Sequence, residues 1–109
     1  MKQRWIDLSY SMKTENLSEQ LLDIGVEDAL VMDGYNDCVI GILERFGMES
    51  IVLYDKEKVL GKLVDDGCTY EEAIEFYEYN QLGAWVGDGT PGFLIRLPES
   101  VPNRKADYY

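Results

Sequence analysis

The chain is expected to fold as an α+β domain, a small antiparallel sheet of about four strands packed with two to three helices. Three features predict this. Short apolar runs bounded by turn residues fill the first half, as strands do. After Asp55 the apolar period changes to that of a helix. Finally, Thr69-Tyr70-Glu71-Glu72 opens the next segment as a capping box, with Thr at the N-cap and Glu three residues on.

Taken in order, residues Lys2 to Tyr10 hold a short strand whose apolar members are Trp5, Ile6 and Leu8. A helix follows from about Thr14 to Ile24, with Leu17, Leu21 and Ile24 on one face and Gly25 placed to end it. Ala29-Leu30-Val31-Met32 reads as a buried strand, and Asp33-Gly34-Tyr35-Asn36-Asp37 has turn chemistry. Cys38 to Leu43 is a second strand, Phe46 to Ser50 a turn, and Ile51 to Tyr54 a third strand. Their close spacing suggests an antiparallel meander.

Asp55 is placed to cap a helix reaching about Asp65, with Val59, Leu60, Leu63 and Val64 as its stripe and Gly67 as its stop. The helix opened by the capping box should run to about Asn80. On a helical wheel Tyr70, Ala73, Ile74, Phe76 and Tyr77 gather on one side. Glu71, Glu75 and Glu78 gather on the other, with Glu72 beside them. Trp85 reads as a core anchor ahead of a glycine-rich turn, and Phe93 to Ile95 as the last strand. The domain spans 1–97, and residues 98–109 form a C-terminal tail.

Composition narrows the functional classes. The 109 residues carry 21 acidic against 10 basic side chains, a formal net charge of −11. Such a surface repels nucleic acid and anionic lipid and attracts basic protein surfaces. No run approaches the roughly 20 apolar residues of a membrane span, and no apolar stretch follows the basic start. Cys38 and Cys68 read as free thiols of a reducing compartment rather than a disulfide. A cytoplasmic protein without membrane attachment is expected.

The chain has no histidine, which removes every Ser-His-Asp, Cys-His and His-ligated metal arrangement. Asp33 and Asp37 flank a turn but lack the alternate-residue spacing and terminal Glu of a calcium loop. Gly87-Asp88-Gly89-Thr90-Pro91-Gly92 satisfies the letters G-x-G-x-x-G. A dinucleotide fingerprint must open a helix at its third glycine, whereas a strand-like segment follows here. No cofactor or metal is expected. Cys38, between an acidic turn and an apolar run, reads as an inert thiol.

The segment from about Asp28 to Phe93 resembles a family of small uncharacterised proteins found mostly in bacteriophage and prophage genomes. The residues that carry the resemblance are Asp37 to Gly41, Val52 to Val59, Thr69 to Asn80 and Gly83 to Pro91. The resemblance implies a phage origin and brings no established activity or catalytic residue with it. Small acidic phage proteins often block host defence nucleases, an association rather than a physical argument.

The acidic stripe is the feature with a functional edge, against the alternative of a merely solvated face. Its carboxylates recur every ~5–6 Å along the helix, near the scale on which a nucleic acid backbone presents phosphates. The expected role is therefore a binding protein of the anti-CRISPR or anti-restriction kind, occupying a basic groove of a host nuclease or CRISPR effector. Glu71, Glu72, Glu75, Glu78, Tyr79, Asp33 and Asp37 are the candidate contact residues. A phage accessory protein that binds a replication or transcription component is the second reading. A small carboxylate-dependent enzyme is the third.

Overall fold

A computed structural model describes residues 2–7, 20–21, 25–26 and 29–98. The protein is α+β: among the described residues five strands form two sheets beside two α-helices and a π-helical segment. Of the expected N-terminal helix only Gln20 and Leu21 are described, both helical. Leu8 to Tyr10, and the tail beyond Pro98, lie outside the described residues.

Strand β1 (Trp5–Asp7) pairs antiparallel with β2 (Leu30–Met32), setting Trp5 opposite Met32. A separate sheet has the order β3 (Val39–Arg45), β4 (Met48–Asp55), β5 (Gly92–Leu94). β3 and β4 run antiparallel through a two-residue loop, Phe46-Gly47, with Gly47 at φ 72°. A positive φ is what such tight hairpins demand and what glycine adopts without steric cost. The loop is shorter than the expected turn, and β4 consequently begins at Met48 rather than Ile51. β5 joins β4 in parallel.

The expected meander is corrected at β2, which does not join β3. Gly34 at φ 89° and a 3-10 turn at Asn36–Cys38 lead the chain out of β2 and away from its line. The amide of Met32 is meanwhile taken by the Tyr54 hydroxyl at 2.7 Å. This bond ties the small sheet to the centre of the larger one.

Both helices form where their local chemistry dictates. Helix α1 (Lys56–Asp65) has Asp55 as N-cap, its carboxylate accepting from the Glu57 amide at 3.0 Å. Its end is a Schellman motif: Cys68 N–H donates to the Leu63 carbonyl and Gly67 N–H to that of Val64, with Gly67 left-handed at φ 117°. Helix α2 (Tyr70–Phe76) opens on the full capping box. Thr69 Oγ1 accepts from the Glu72 amide at 3.1 Å, and Glu72 Oε1 accepts from the Thr69 amide at 2.8 Å. Thr69→Ala is therefore expected to cost about 1 kcal/mol in a chemical denaturation curve. Thr69→Ser should restore most of that loss.

α2 does not continue as an α-helix to Asn80. It widens into a π-helical segment over Tyr77–Leu82, a rare geometry that is frequent at functional sites. The segment ends at Gly83, where any Cβ would collide with the Glu78 carbonyl oxygen. The wider turn buries Tyr77 and Gln81 together.

Val31, Met32, Val52, Tyr54, Val59, Leu63, Ala73 and Tyr77 make the core. Tyr54 stacks on Phe93, and Tyr77 meets Phe93 edge-on at 5.1 Å between ring centroids. Three expected core members lie outside it. Tyr70, the first residue of α2, stands beyond the reach of the packed face at 62% exposure, and Val64 is exposed as well. Trp85 is 69% exposed and does not anchor the core. The loop that follows is held by Thr90, whose Oγ1 accepts from the Val86 amide and donates to the Gly87 carbonyl.

Candidate functional site

The acidic stripe forms as its spacing requires. Glu71, Glu75 and Glu78 are exposed, because Ala73 and Tyr77 hold the opposite face of the helix against the core. Glu72 is exposed too, but one of its oxygens is committed to the cap. Tyr79, 76% exposed, stands one residue beyond Glu78. Asp65 and Asp66, at the end of α1, are exposed as well.

The structure divides the candidate residues. An open groove of about 960 Å³ is lined by Asp33, Glu72, Glu75 and Tyr79, so Asp33 of the turn after β2 joins three residues of the helix segment. Glu71 and Glu78 lie outside the groove lining, on exposed helix surface. Asp37 is exposed on the 3-10 turn and does not line the groove either.

The groove also holds residues that sequence reasoning did not single out. Lys2 and Arg4 bring two cations, Asp66 a fourth carboxylate, and Tyr35 a buried ring. These come from the segment leading into β1, the turn after β2 and the end of α1, which only tertiary pairing brings together: the Arg4 carbonyl accepts from the Asp33 amide at 3.0 Å. No local pattern in the sequence signals that meeting. The Lys62 ammonium lies 5.9 Å from the Tyr35 ring centroid. Burial raises the Tyr35 hydroxyl above its ordinary pKa, and the Asp66 charge adds to that, against the lowering effect of Gln81.

The remaining chemistry-bearing groups have structural roles. Cys38 is buried and Cys68 half-buried, both as free thiols. Burial first, and Asp37 next, push the Cys38 thiol up, the reverse of what a nucleophile needs. Asp55 is 2% exposed and accepts from Arg96 Nε at 2.8 Å. Its burial favours the neutral acid, but the Arg96 hydrogen bond and charge and the amides of Glu57 and Lys58 outweigh that and hold the carboxyl below its ordinary value. The glycine-rich segment is a self-contained turn leading directly into β5, so no helix opens there to receive a phosphate. Among the described residues no three cysteine or carboxylate side chains converge as a metal site, and no helix is long and apolar enough to cross a membrane.

Searches of family models, curated proteins and solved structures return no match to this chain.

Proposed function

We infer that the chain is a small acidic binding protein, without catalytic activity or cofactor, that docks the exposed face of α2 and its π-helical extension on a basic protein surface. The observation that carries this reading is the exposure of Glu71, Glu75 and Glu78 on one face of the helix, with Tyr79 exposed one residue beyond Glu78. Exposed tyrosines supply contact area at low conformational cost, and clustered carboxylates raise the association rate with a basic partner. The partner class is the nucleic-acid groove of a host defence enzyme, a nuclease or CRISPR effector, in the reducing host cytoplasm. The charge of −11, which disfavours direct contact with nucleic acid, and the resemblance to phage proteins support that choice.

The test is inhibition of such a nuclease by the wild type and by Glu75→Gln combined with Glu78→Gln. Stability should change by less than about 0.5 kcal/mol, since both side chains are exposed. Inhibition should weaken chiefly through a slower association rate, and its salt dependence should flatten. Glu49→Gln, on the β3–β4 hairpin, serves as the control. Equal inhibition by wild type and double variant at low and high salt would leave the helix face as ordinary solvated surface.

A further inference from the structure

The three-stranded sheet is apolar on both faces. Alternate residues of a strand point to opposite sides of a sheet. Val52 and Tyr54 point to the side where the helices pack, and share the core with Val59, Leu63, Ala73 and Tyr77. On the other side the register sets Leu43 opposite Ile51, Gly41 and Gly92 on either flank of Leu53, and Leu94 beside Asp55. None of Leu43, Ile51, Leu53 and Leu94 belongs to the core cluster or to the apolar side chains packed against it. Leu43 is 40% exposed, and a Cβ added at Gly41 would meet nothing within 4 Å. A sheet that is apolar on both faces calls for a covering layer on each.

The two ends of this outer face are unlike in charge. Glu49 is exposed at the hairpin end, two residues before Ile51 and on the same side of β4. Arg96 stands at the opposite end, two residues past Leu94. Its Nε is held by the buried Asp55 carboxylate, while the side chain is 55% exposed and its two Nη atoms have no partner among the described residues. The most exposed large apolar side chains among the described residues also mark the two ends. They are Phe46 at the hairpin tip and Leu97 beyond β5.

We propose that this outer face binds a second copy of the chain, sheet against sheet, about a two-fold axis that crosses the strands near Leu53. Such an axis exchanges the ends of the face. Continued along β4, the β4–β5 register puts Arg96 about as far past Leu53 as Glu49 lies before it. The axis therefore lays Arg96 of each copy over Glu49 of the other, and brings the hairpin tip of each to the Leu97 end of the other. This is the reciprocal contact that a two-fold interface requires. Ile51, Leu53, Leu94 and Leu43 fill the middle, with aligned sheets about 10 Å apart. Three strands about 4.8 Å apart and some 20 Å long make a patch well under the ~800 Å² per partner of a standard interface, so the dimer is weak and reversible. The α2 face lies on the far side of the sheet, so each copy keeps its acidic stripe free. The two proposals therefore stand or fall separately.

Sedimentation equilibrium of the full chain, from low micromolar to millimolar concentration, provides the test. Wild type should pass from monomer to dimer with a midpoint near ~0.1 mM, in keeping with the small area. Raising the salt should strengthen association, because it screens the repulsion between two copies of charge −11. Leu43→Lys should weaken the dimer at least about tenfold, since it buries an ammonium in the apolar middle. Val64→Lys is the control, the same change at a position 41% exposed on α1, and should leave the midpoint unchanged. Thermal melts of the two variants check that both remain folded. At the nanomolar concentrations of an inhibition assay the chain is monomeric, so Glu49→Gln remains a neutral control for the helix face. A wild type that stays monomeric at millimolar concentration would overturn the dimer and leave the helix-face reading standing. Equal weakening by the two lysine variants would remove the outer face from the contact. Association that weakens with salt would place the contact on the acidic helix face instead.

Discussion

Tyr54→Ala is expected to destabilise the protein by about 3–5 kcal/mol, the range for removing a large buried aromatic ring. Tyr54 is fully buried near the C-terminal end of β4, stacked on Phe93 and in the same cluster as Met32 and Val52. Its hydroxyl is also the acceptor for the Met32 amide, the bond that joins the two sheets. Tyr54→Phe separates the two contributions. It keeps the ring and strands a buried N–H, so it should cost about 1–3 kcal/mol on its own. Urea denaturation measures both, with Tyr70→Phe as the exposed control. A Tyr54→Phe loss no larger than that control would show that the inter-sheet bond contributes nothing.

Asp55→Ala is the second large expected effect, about 2–4 kcal/mol. The substitution removes an N-cap worth about 0.5–2 kcal/mol and half of an ion pair whose carboxylate is buried. Arg96 is itself half-exposed, so its freed guanidinium returns to water and adds no stranded charge. Asp55→Asn keeps a competent cap and should lose less. The pH dependence follows from the depressed carboxyl. Because the folded-state pKa of Asp55 lies below the unfolded value of about 3.9, its stabilisation is complete above that value. It is lost as pH falls through the folded-state value. Wild type should therefore lose stability on acidification below about pH 4, and Asp55→Asn should show a shallower decline over the same window. Thermal melts from pH 6 to pH 2.5 would measure it. Parallel curves for the two proteins would remove Asp55 from the acid response.

Much of this architecture was legible locally. The capping box at Thr69, the Asp55 cap and the Gly67 stop each depend on side chains within a few residues of the backbone groups they satisfy. The exposure of Glu71, Glu75 and Glu78 followed from the burial required of the opposite helical face. The errors have one cause, which is that burial and strand partnership are settled over long sequence separations. Trp85 has the composition of a core anchor, but it is 69% exposed, and the aromatic packing of the interior comes from Tyr54, Tyr77 and Phe93. β2 has the composition of a strand beside β3, yet it pairs with β1 some 25 residues earlier.

The sequence by itself determined the α+β class, the start and stop of α1, the start of α2, and the acidic stripe. These are consequences of periodicity, capping and charge, all of which act within one or two helical turns. Only the tertiary structure decided that β1 pairs with β2 and that α2 widens into a π-turn burying Gln81. It also decided which carboxylates face a common groove, drawing in Asp33 and leaving Asp37 outside. The physical reason is that a groove is the space left where distant segments fail to fill one another. Its lining is set by packing between elements, which no local pattern encodes.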